Sequence, residues 1–379
     1  MKPIRQTIHF DKTLIDKDAQ KVVKTLNKAG HEAYLVGGCI RDLLLGHKPK
    51  DFDIATCATP EQVHQIFKRS RLIGRRFRLV HIMFSSRKYI EVATFRSGKV
   101  RAAGNGVIVR DNLYGTLKED AFRRDFSVNA LYYDIQNSQV IDYVDGLNAL
   151  NNSEIRVIGN PVERFKEDPV RMIRAIRFKV KLGASIDPKI LKSISNQAYL
   201  LANIPAARLY DECIKLFHNE NAYEVFEQLV KCGLLNYLFP QTEETSFISK
   251  TLLNTSKRIK NGKPVTPAFL FAVFLWEAQN KRFNELNKKK KSRFLTMTQA
   301  SEDVISKQTK QVLMPRWLSN RVKDIWLMQY QLESCSQKKA KELIAHPRFR
   351  MAYDFLVLRS ESINPELAER AKYWTKLQQ

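Results

Sequence analysis

The stretch from Ala33 to Ala55 leaves this chain little freedom in how it can begin to fold. An apolar run, Ala33 to Val36, ends in Gly37-Gly38, and an amphipathic piece from Cys39 to Leu45 stops at Gly46. That order predicts a strand, a glycine turn and a short helix closed by a C-terminal glycine. Paired glycines let backbone N–H groups approach an anion closely, and the helix N-terminus adds partial positive charge. Arg41, one turn into the helix, offers a forked donor suited to phosphate oxygens. Next, Asp51 and Asp53 alternate with Phe52 and Ile54. A strand's period of two puts both carboxylates on one face and sends Phe52 and Ile54 into a core. Adjacent carboxylates repel unless a cation sits between them. A phosphate cradle beside paired carboxylates is what nucleotidyl transfer requires.

The totals bound the partner. At 379 residues the chain predicts two or three domains with a sizeable core, and 44% hydrophobic residues fit a folded protein. A formal charge of +25 points to a polyanion, with a membrane surface as the competing explanation. No apolar run approaches ~20 residues, and the N-terminus lacks the apolar core of a signal peptide, so no membrane role is expected. Five scattered cysteines, at 39, 57, 213, 232 and 335, form no Cys-x-x-Cys pair and fit free thiols in a reducing cytoplasm. The seven histidines show no metal spacing. A monomer is expected.

Along the chain, residues 1 to 17 predict a lightly structured lead-in and Asp18 to Lys28 a helix ended by Gly30. Thr59-Pro60-Glu61-Gln62 is a capping box opening a helix through about Lys68. Leu72 to Phe84 leads into a strand sharing Phe77, Leu79 and His81 on a face, and Tyr89 to Phe95 is another. Ser97 to Thr116, glycine-rich and basic, predicts a loop or hairpin; Ala130 to Tyr133 and Gln139 to Tyr143 complete a small mixed sheet. After about Asn160 helical periods take over: Pro169–Val180, Lys189–Leu201, Ala207–Phe217, Tyr223–Cys232, Pro267–Glu277, Asn320–Glu333, Lys338–Ala345 and Met351–Arg359. The fold class is α+β: an N-terminal head with a small mixed β-sheet and an all-α remainder. The division expected is a lead-in over 1–30, a head over 31–155, and helical regions over 156–240 and 241–379.

Gly37-Gly38, Arg41-Asp42 and the Asp51-Phe52-Asp53 triplet resemble the signature of class II nucleotidyltransferases, the CCA-adding enzymes and bacterial poly(A) polymerases. The resemblance implies a catalytic head followed by neck, body and tail. Asp51 and Asp53 are the expected ligands of two Mg²⁺ ions, which together handle the primer 3′-hydroxyl and the triphosphate. Two residues compete as third carboxylate. Asp125, in Arg123-Arg124-Asp125-Phe126-Ser127-Val128-Asn129, resembles the family's second motif and comes first; Glu91, a charge on an otherwise apolar strand, comes second. The same motif implies nucleotide contacts from Arg123 and Asn129. Glu167-Asp168-Pro169-Val170-Arg171-Met172-Ile173-Arg174 matches the family's Glu-Asp-x-x-Arg-x-x-Arg. Asp168 can accept from the amino group of adenine or cytosine and Arg171 can donate to the ring nitrogen, with Glu167 and Arg174 alongside. Uracil and guanine present the reverse order and leave bonds unmade. Asp168-Pro169 also reads simply as an N-cap with a first-turn proline.

Residues 142 to 150 resemble the linking motif, with Asp145 where a glycine is expected. Leu72-Ile73-Gly74-Arg75-Arg76-Phe77-Arg78-Leu79-Val80-His81-Ile82 is similar to an element distinctive of the bacterial poly(A) polymerases, and the likeness extends through Ile204–Leu209 and His346–Asp354. It implies template-independent addition of AMP from ATP to the 3′ ends of RNA, single-stranded or tRNA-like. The alternatives are a CCA-adding enzyme and a non-catalytic basic RNA-binding protein. Family members often end in an arginine-rich tail, which is not seen before Gln379. Primer affinity is therefore expected from the folded body, with Arg75, Arg76 and Arg78 as candidate contributors.

Overall fold

A computed structural model describes residues 2–11, 13–74, 78–86, 88–97, 101–102, 108–110, 114–288 and 292–378. The chain divides into two compact units, Met1–Arg164 with Leu182–Ile190, and Phe165–Lys181 with Leu191–Gln379.

The first unit is built on β1 (Ile4–Thr7), β2 (Ala33–Val36), β3 (Asp53–Thr56), β4 (Ser70–Ile73), β5 (Leu79–Met83), β6 (Tyr89–Thr94), β7 (Arg101–Ala102), β8 (Ile108–Arg110), β9 (Leu131–Asp134) and β10 (Gln139–Asp142). Among the described residues these make an eight-stranded sheet ordered β1-β10-β9-β2-β3-β6-β5-β4, with β7 and β8 as a separate hairpin. The sheet is mixed because β3 and β6 run parallel while every other neighbour is antiparallel. Helix α1 (Lys17–Lys28) starts at Asp16, whose carboxylate accepts from the N–H groups of Asp18 and Ala19. It buries Ala19, Val22, Val23 and Leu26, and packs on β2 and β3. Helix α2 (Gly38–Leu44) follows the glycine turn. Thr59 and Gln62 form the expected capping box of α3 (Pro60–Ile66), and Thr116 with Glu119 forms another at α4 (Leu117–Arg123).

The lead-in expected at residues 1 to 17 is corrected: Ile4–Thr7 pairs antiparallel with β10 and extends the sheet. All four of its side chains are exposed, so no apolar alternation marks it, and ladder hydrogen bonds alone define the strand. Within 97–116, residues 98–100, 103–107 and 111–113 lie outside the described residues, as do Arg75, Arg76 and Phe77. The first compact unit takes in residues up to Arg164 together with Leu182–Ile190, where the Ile155 N–H bonds the Ser185 carbonyl (2.9 Å) and the Ile158 N–H the Asp125 carbonyl (3.1 Å). In the linking motif, Asp145 sits in the left-handed region at φ 61°, ψ 34°, and opens α5 (Gly146–Asn151). That is the conformation a glycine would adopt most cheaply and an aspartate tolerates. A short 3₁₀ turn, Ser127–Asn129, packs beneath α5.

Helix α6 (Pro161–Glu167) runs across the division, and the second unit is helical throughout: α7 (Val170–Lys181), α8 (Pro188–Gln197), α9 (Ala206–Phe217), α10 (Ala222–Lys231), α11 (Ser246–Lys260), α12 (Pro267–Phe274), α13 (Trp276–Asn287), α14 (Arg293–Gln311), α15 (Arg316–Ser334), α16 (Gln337–Ile344), α17 (Phe349–Ser360) and α18 (Ala368–Lys376). Its core is aromatic. Trp326 Nε1 donates to the Ala272 carbonyl (3.1 Å) and Trp374 Nε1 to the Leu332 carbonyl (2.9 Å), so these two fully buried indoles keep their partners. The single helix expected over Pro267–Glu277 is broken at Leu275, where ψ turns to 5°. The run before the break, Ala268 to Leu275, is apolar throughout, so no period announces where the helix ends. Among the described residues no helix is long and apolar enough to cross a membrane. The five cysteines are free thiols.

Candidate active site

Strand pairing assembles the site. Val36, the last residue of β2, is the register partner of Asp53, the first of β3, so the glycine turn leaves the sheet beside that carboxylate. Gly37 has φ 82°, which only glycine adopts without strain. Its N–H donates to the Leu131 carbonyl at 3.2 Å, so the cradle passes to Gly38, which begins α2 among N–H groups without intrahelical partners. Asp51 lies just before β3 and not within it, yet the alternation holds: Asp51 and Asp53 are exposed, Phe52 and Ile54 buried.

On the other side of β3, parallel pairing makes Glu91 the register partner of Asp53. Although the Asp53 side chain keeps contact with solvent, the protein packed around it withdraws enough water to push its carboxyl up to about 6, with Glu91 and then Asp51 adding to the rise and Arg124 opposing it. Of the two candidates for third carboxylate, Glu91 is therefore the neighbour. The Asp125 Oδ1 accepts from the Phe126 N–H at 2.9 Å. His81, across β5, faces Glu91 at 3.5 Å and stacks on Tyr89 with ring centroids 4.0 Å apart.

Behind the glycine turn lies a buried polar network. Arg41, 2% exposed, donates through Nη1 to Asn129 Oδ1 (2.5 Å) and through Nε and Nη2 to Asp42 Oδ1 (2.9 and 2.6 Å). The forked donor expected to reach phosphate thus points inward and ties α2 to the 3₁₀ turn carrying Asn129. Arg123 and Arg124 converge on Asp120, itself 1% exposed, at 2.7 and 3.0 Å. Burial alone would raise the Asp120 carboxyl, but Arg124, Arg123 and the Tyr132 hydroxyl overcome it and hold it at about 2. Arg164 Nη2 props the same segment by donating to the carbonyls of Arg123 (2.6 Å) and Arg124 (2.8 Å).

In the helical unit, Asp168 caps α7, accepting from the Val170 N–H at 3.3 Å, and pairs with Arg208 Nη2 at 2.7 Å. Arg171 Nη1 donates to Glu167 Oε2 at 2.9 Å. Arg171, Arg174 and Arg177 are all half-buried on one face, against buried Ile173 and Ile176. Arg174 lies 5.4 Å over the Phe178 ring. Asp120, Arg124, Arg164, His81 and Arg208 were not singled out from sequence. Arg124, His81 and Arg208 each lie inside a motif quoted above, and Asp120 stands three and four residues before its arginines, so a signal was present for those four; the distant bonds of Arg164 to the Arg123 and Arg124 carbonyls have none.

Comparison with known proteins gives this geometry its context. The chain is 43% identical over 96% of its length to poly(A) polymerase I of Salmonella typhimurium, covering 83% of that protein. The Haemophilus influenzae poly(A) polymerase I is 40% identical over 100% of this chain and 90% of its own. The chain belongs to the poly(A) polymerase family. The family's head-domain model matches residues 33–156, the model described as a probable RNA and SrmB-binding site matches 183–245, and the arginine-rich C-terminus model matches 276–379. That last match falls on helices α13 to α18, where the sequence had suggested no such region before Gln379. This family member is accordingly an enzyme, a transferase of the nucleotidyltransferase type. A CCA-adding enzyme of Enterococcus faecalis is 40% identical over 70% of the chain and 65% of its own length. The crystal structure of the Bacillus stearothermophilus CCA-adding enzyme in complex with CTP superposes with TM-score 0.66 at 25% identity, covering 95% of this chain and 82% of that one.

Proposed function

We propose that this enzyme adds AMP from ATP to RNA 3′ ends without a template, releasing pyrophosphate. The observation that supports this most directly is the register of β2, β3 and β6, with Asp53 between the glycine turn and Glu91 and pushed up to about 6 by burial and like charge. Hard carboxylate oxygens crowded beside an anion cradle suit Mg²⁺, which needs no all-protein cage and takes its remaining ligands from water and phosphate. Asp51 and Asp53 would hold the two ions with water and phosphate oxygens completing the shell, because among the described residues no three acidic, histidine or cysteine side chains are gathered to hold a metal. Glu91, opposite Asp53, is the nearer of the two candidates for a third carboxylate, and bound ions would supply charge neutralisation for the triphosphate and a more acidic attacking hydroxyl. Gly38 and the first N–H groups of α2 receive phosphate oxygens. Arg41, Asn129, Arg123 and Arg124 keep that turn in shape and set the positive background. Asp168 and Arg171 exchange Arg208 and Glu167 for the amino group and ring nitrogen of adenine. Unmade bonds count against uracil and guanine.

Offering a short A-ended RNA with ATP alone tests the proposal: long ladders are expected, and Asp51→Ala or Asp53→Ala should abolish them with RNA affinity kept. Full activity in either variant would remove the metal-site assignment. The similarity to CCA-adding enzymes keeps one alternative, for which the same assay would need CTP and stop after three additions.

A further inference from the structure

Three of the four tryptophans are interior: Trp276 is 4% exposed, and Trp326 and Trp374 are 0%. Trp317 is 46% exposed, in the first turn of α15. An indole is large and apolar, and leaving half of one in water wastes the burial that the other three obtain. Its surroundings are equally particular. Arg316, Trp317, Asn320 and Arg321 are all exposed and, at spacings of one, three and four, share one face of the helix. The Arg321 guanidinium lies 5.3 Å over the Trp317 ring. From Arg316 to Lys323 the sequence holds three basic residues and no acidic one. Lys323 is paired with Glu302, while among the described residues neither Arg316 nor Arg321 makes an ion pair. The nearest acid along the helix, Asp324, is bound to Arg348.

This face also has a position relative to the groups that read the base. The Leu313 N–H donates to the Ala206 carbonyl at 3.0 Å. That bond ties the turn before α15 to the start of α9, two residues from Arg208, which holds Asp168.

We infer that Arg316, Trp317, Asn320 and Arg321 form a stacking platform for single-stranded RNA a few nucleotides back from the 3′ end. The inference rests on the proposed use of RNA as primer. A base displaces or sandwiches the Arg321 guanidinium on the indole face, and the freed arginines take flanking phosphates. Asn320 can meet any base edge, so the site carries no sequence code. An apolar protein ligand would find only one ring and a ring of positive charge; a polyanion with flat bases matches both.

The test uses the full chain without ATP, so it reads RNA binding apart from catalysis. With three indoles buried, Trp317 dominates quenching of intrinsic fluorescence by acrylamide. Adding an oligoadenylate should protect that fluorescence, and the protection should be absent in Trp317→Phe, which keeps a ring but not the fluorophore. Trp317→Ala should weaken oligonucleotide binding by roughly five- to a hundredfold, with Trp317→Phe in between and circular dichroism unchanged. At saturating RNA the rate of the first AMP addition should stay within about twofold, and only affinity and ladder length should fall. Unaltered RNA affinity in Trp317→Ala, or quench protection that depends on protein concentration and not on RNA, would overturn the platform. If no AMP is transferred by wild type but RNA still protects Trp317, the catalytic proposal fails and the platform stands.

Discussion

Asp53 carries opposite consequences for stability and for chemistry. Its carboxyl is raised from 3.8 to about 6, so the fold prefers it protonated. The linkage then has a definite sign: this group favours the folded state at low pH, and that contribution is lost as pH rises through about 6. In the metal-free enzyme at pH 8, Asp53→Asn should raise the free energy of urea unfolding slightly, by under ~1 kcal/mol because the side chain keeps solvent contact that screens it. At pH 4 the difference should vanish, and adding Mg²⁺ at pH 8 should stabilise the wild type and not the variant. A variant less stable at pH 8 than at pH 4, relative to wild type, would contradict the crowding of Asp53. Asp120 behaves in the reverse sense. Held at about 2 by its arginines, it stabilises above the unfolded value of 3.8 and loses that contribution as pH falls towards 2. Asp120→Asn leaves Arg123 and Arg124 without their buried counter-charge, so a loss of about 3–5 kcal/mol is expected in urea unfolding at neutral pH.

At the scale of elements, the glycine turn depends on a close approach well away from it. A Cβ on Gly146 would come within 2.3 Å of the Ser127 carbonyl oxygen, and Ser127 opens the 3₁₀ turn whose Asn129 holds Arg41. Gly146→Ala must push α5 off that turn; about 1–3 kcal/mol of stability should go, and the KM for ATP should rise through the displaced Arg41. An unchanged melting temperature would show that α5 yields freely. Elements with a strong local signal were legible in the sequence. The helix expected over Asp18 to Lys28, the capping box at Thr59 and the alternation at Asp51 to Ile54 each follow from side chains a few residues apart. What escaped was defined from a distance. Strand Ile4–Thr7 is chosen by its ladder with Gln139–Asp142, not by its exposed side chains. Glu91 comes to lie opposite Asp53 because β6 runs parallel to β3, and strand order has no local code. Arg41 carries the donor expected from its type, but burial beside Asn129 decides where that donor points.

For the whole molecule, 64 basic residues against 39 acidic ones leave a charge of +25, and the question is whether that charge and the carboxylates do separable work. Phosphate contacts release condensed counterions, so the logarithm of RNA affinity should fall linearly with the logarithm of salt, by roughly 0.7 per phosphate on a single strand. For about five phosphates, raising salt from 50 to 200 mM would cost on the order of a hundredfold in affinity. Stacking releases no counterions. Removing Trp317 should therefore lower affinity by the same factor at every salt concentration, whereas Arg316→Ala or Arg321→Ala should reduce the slope by about one contact each. Asp53→Asn, which removes a negative charge from the site, should leave that slope intact while ending AMP transfer. A catalytically idle RNA-binding protein would show the same slope but no pyrophosphate with or without Mg²⁺, so titrating salt and metal on the wild type and these variants separates the two. If Asp53→Asn instead flattened the salt dependence along with the chemistry, RNA binding and the carboxylate site would be one structure, and the assignment of Asp53 to metal rather than to RNA would fall.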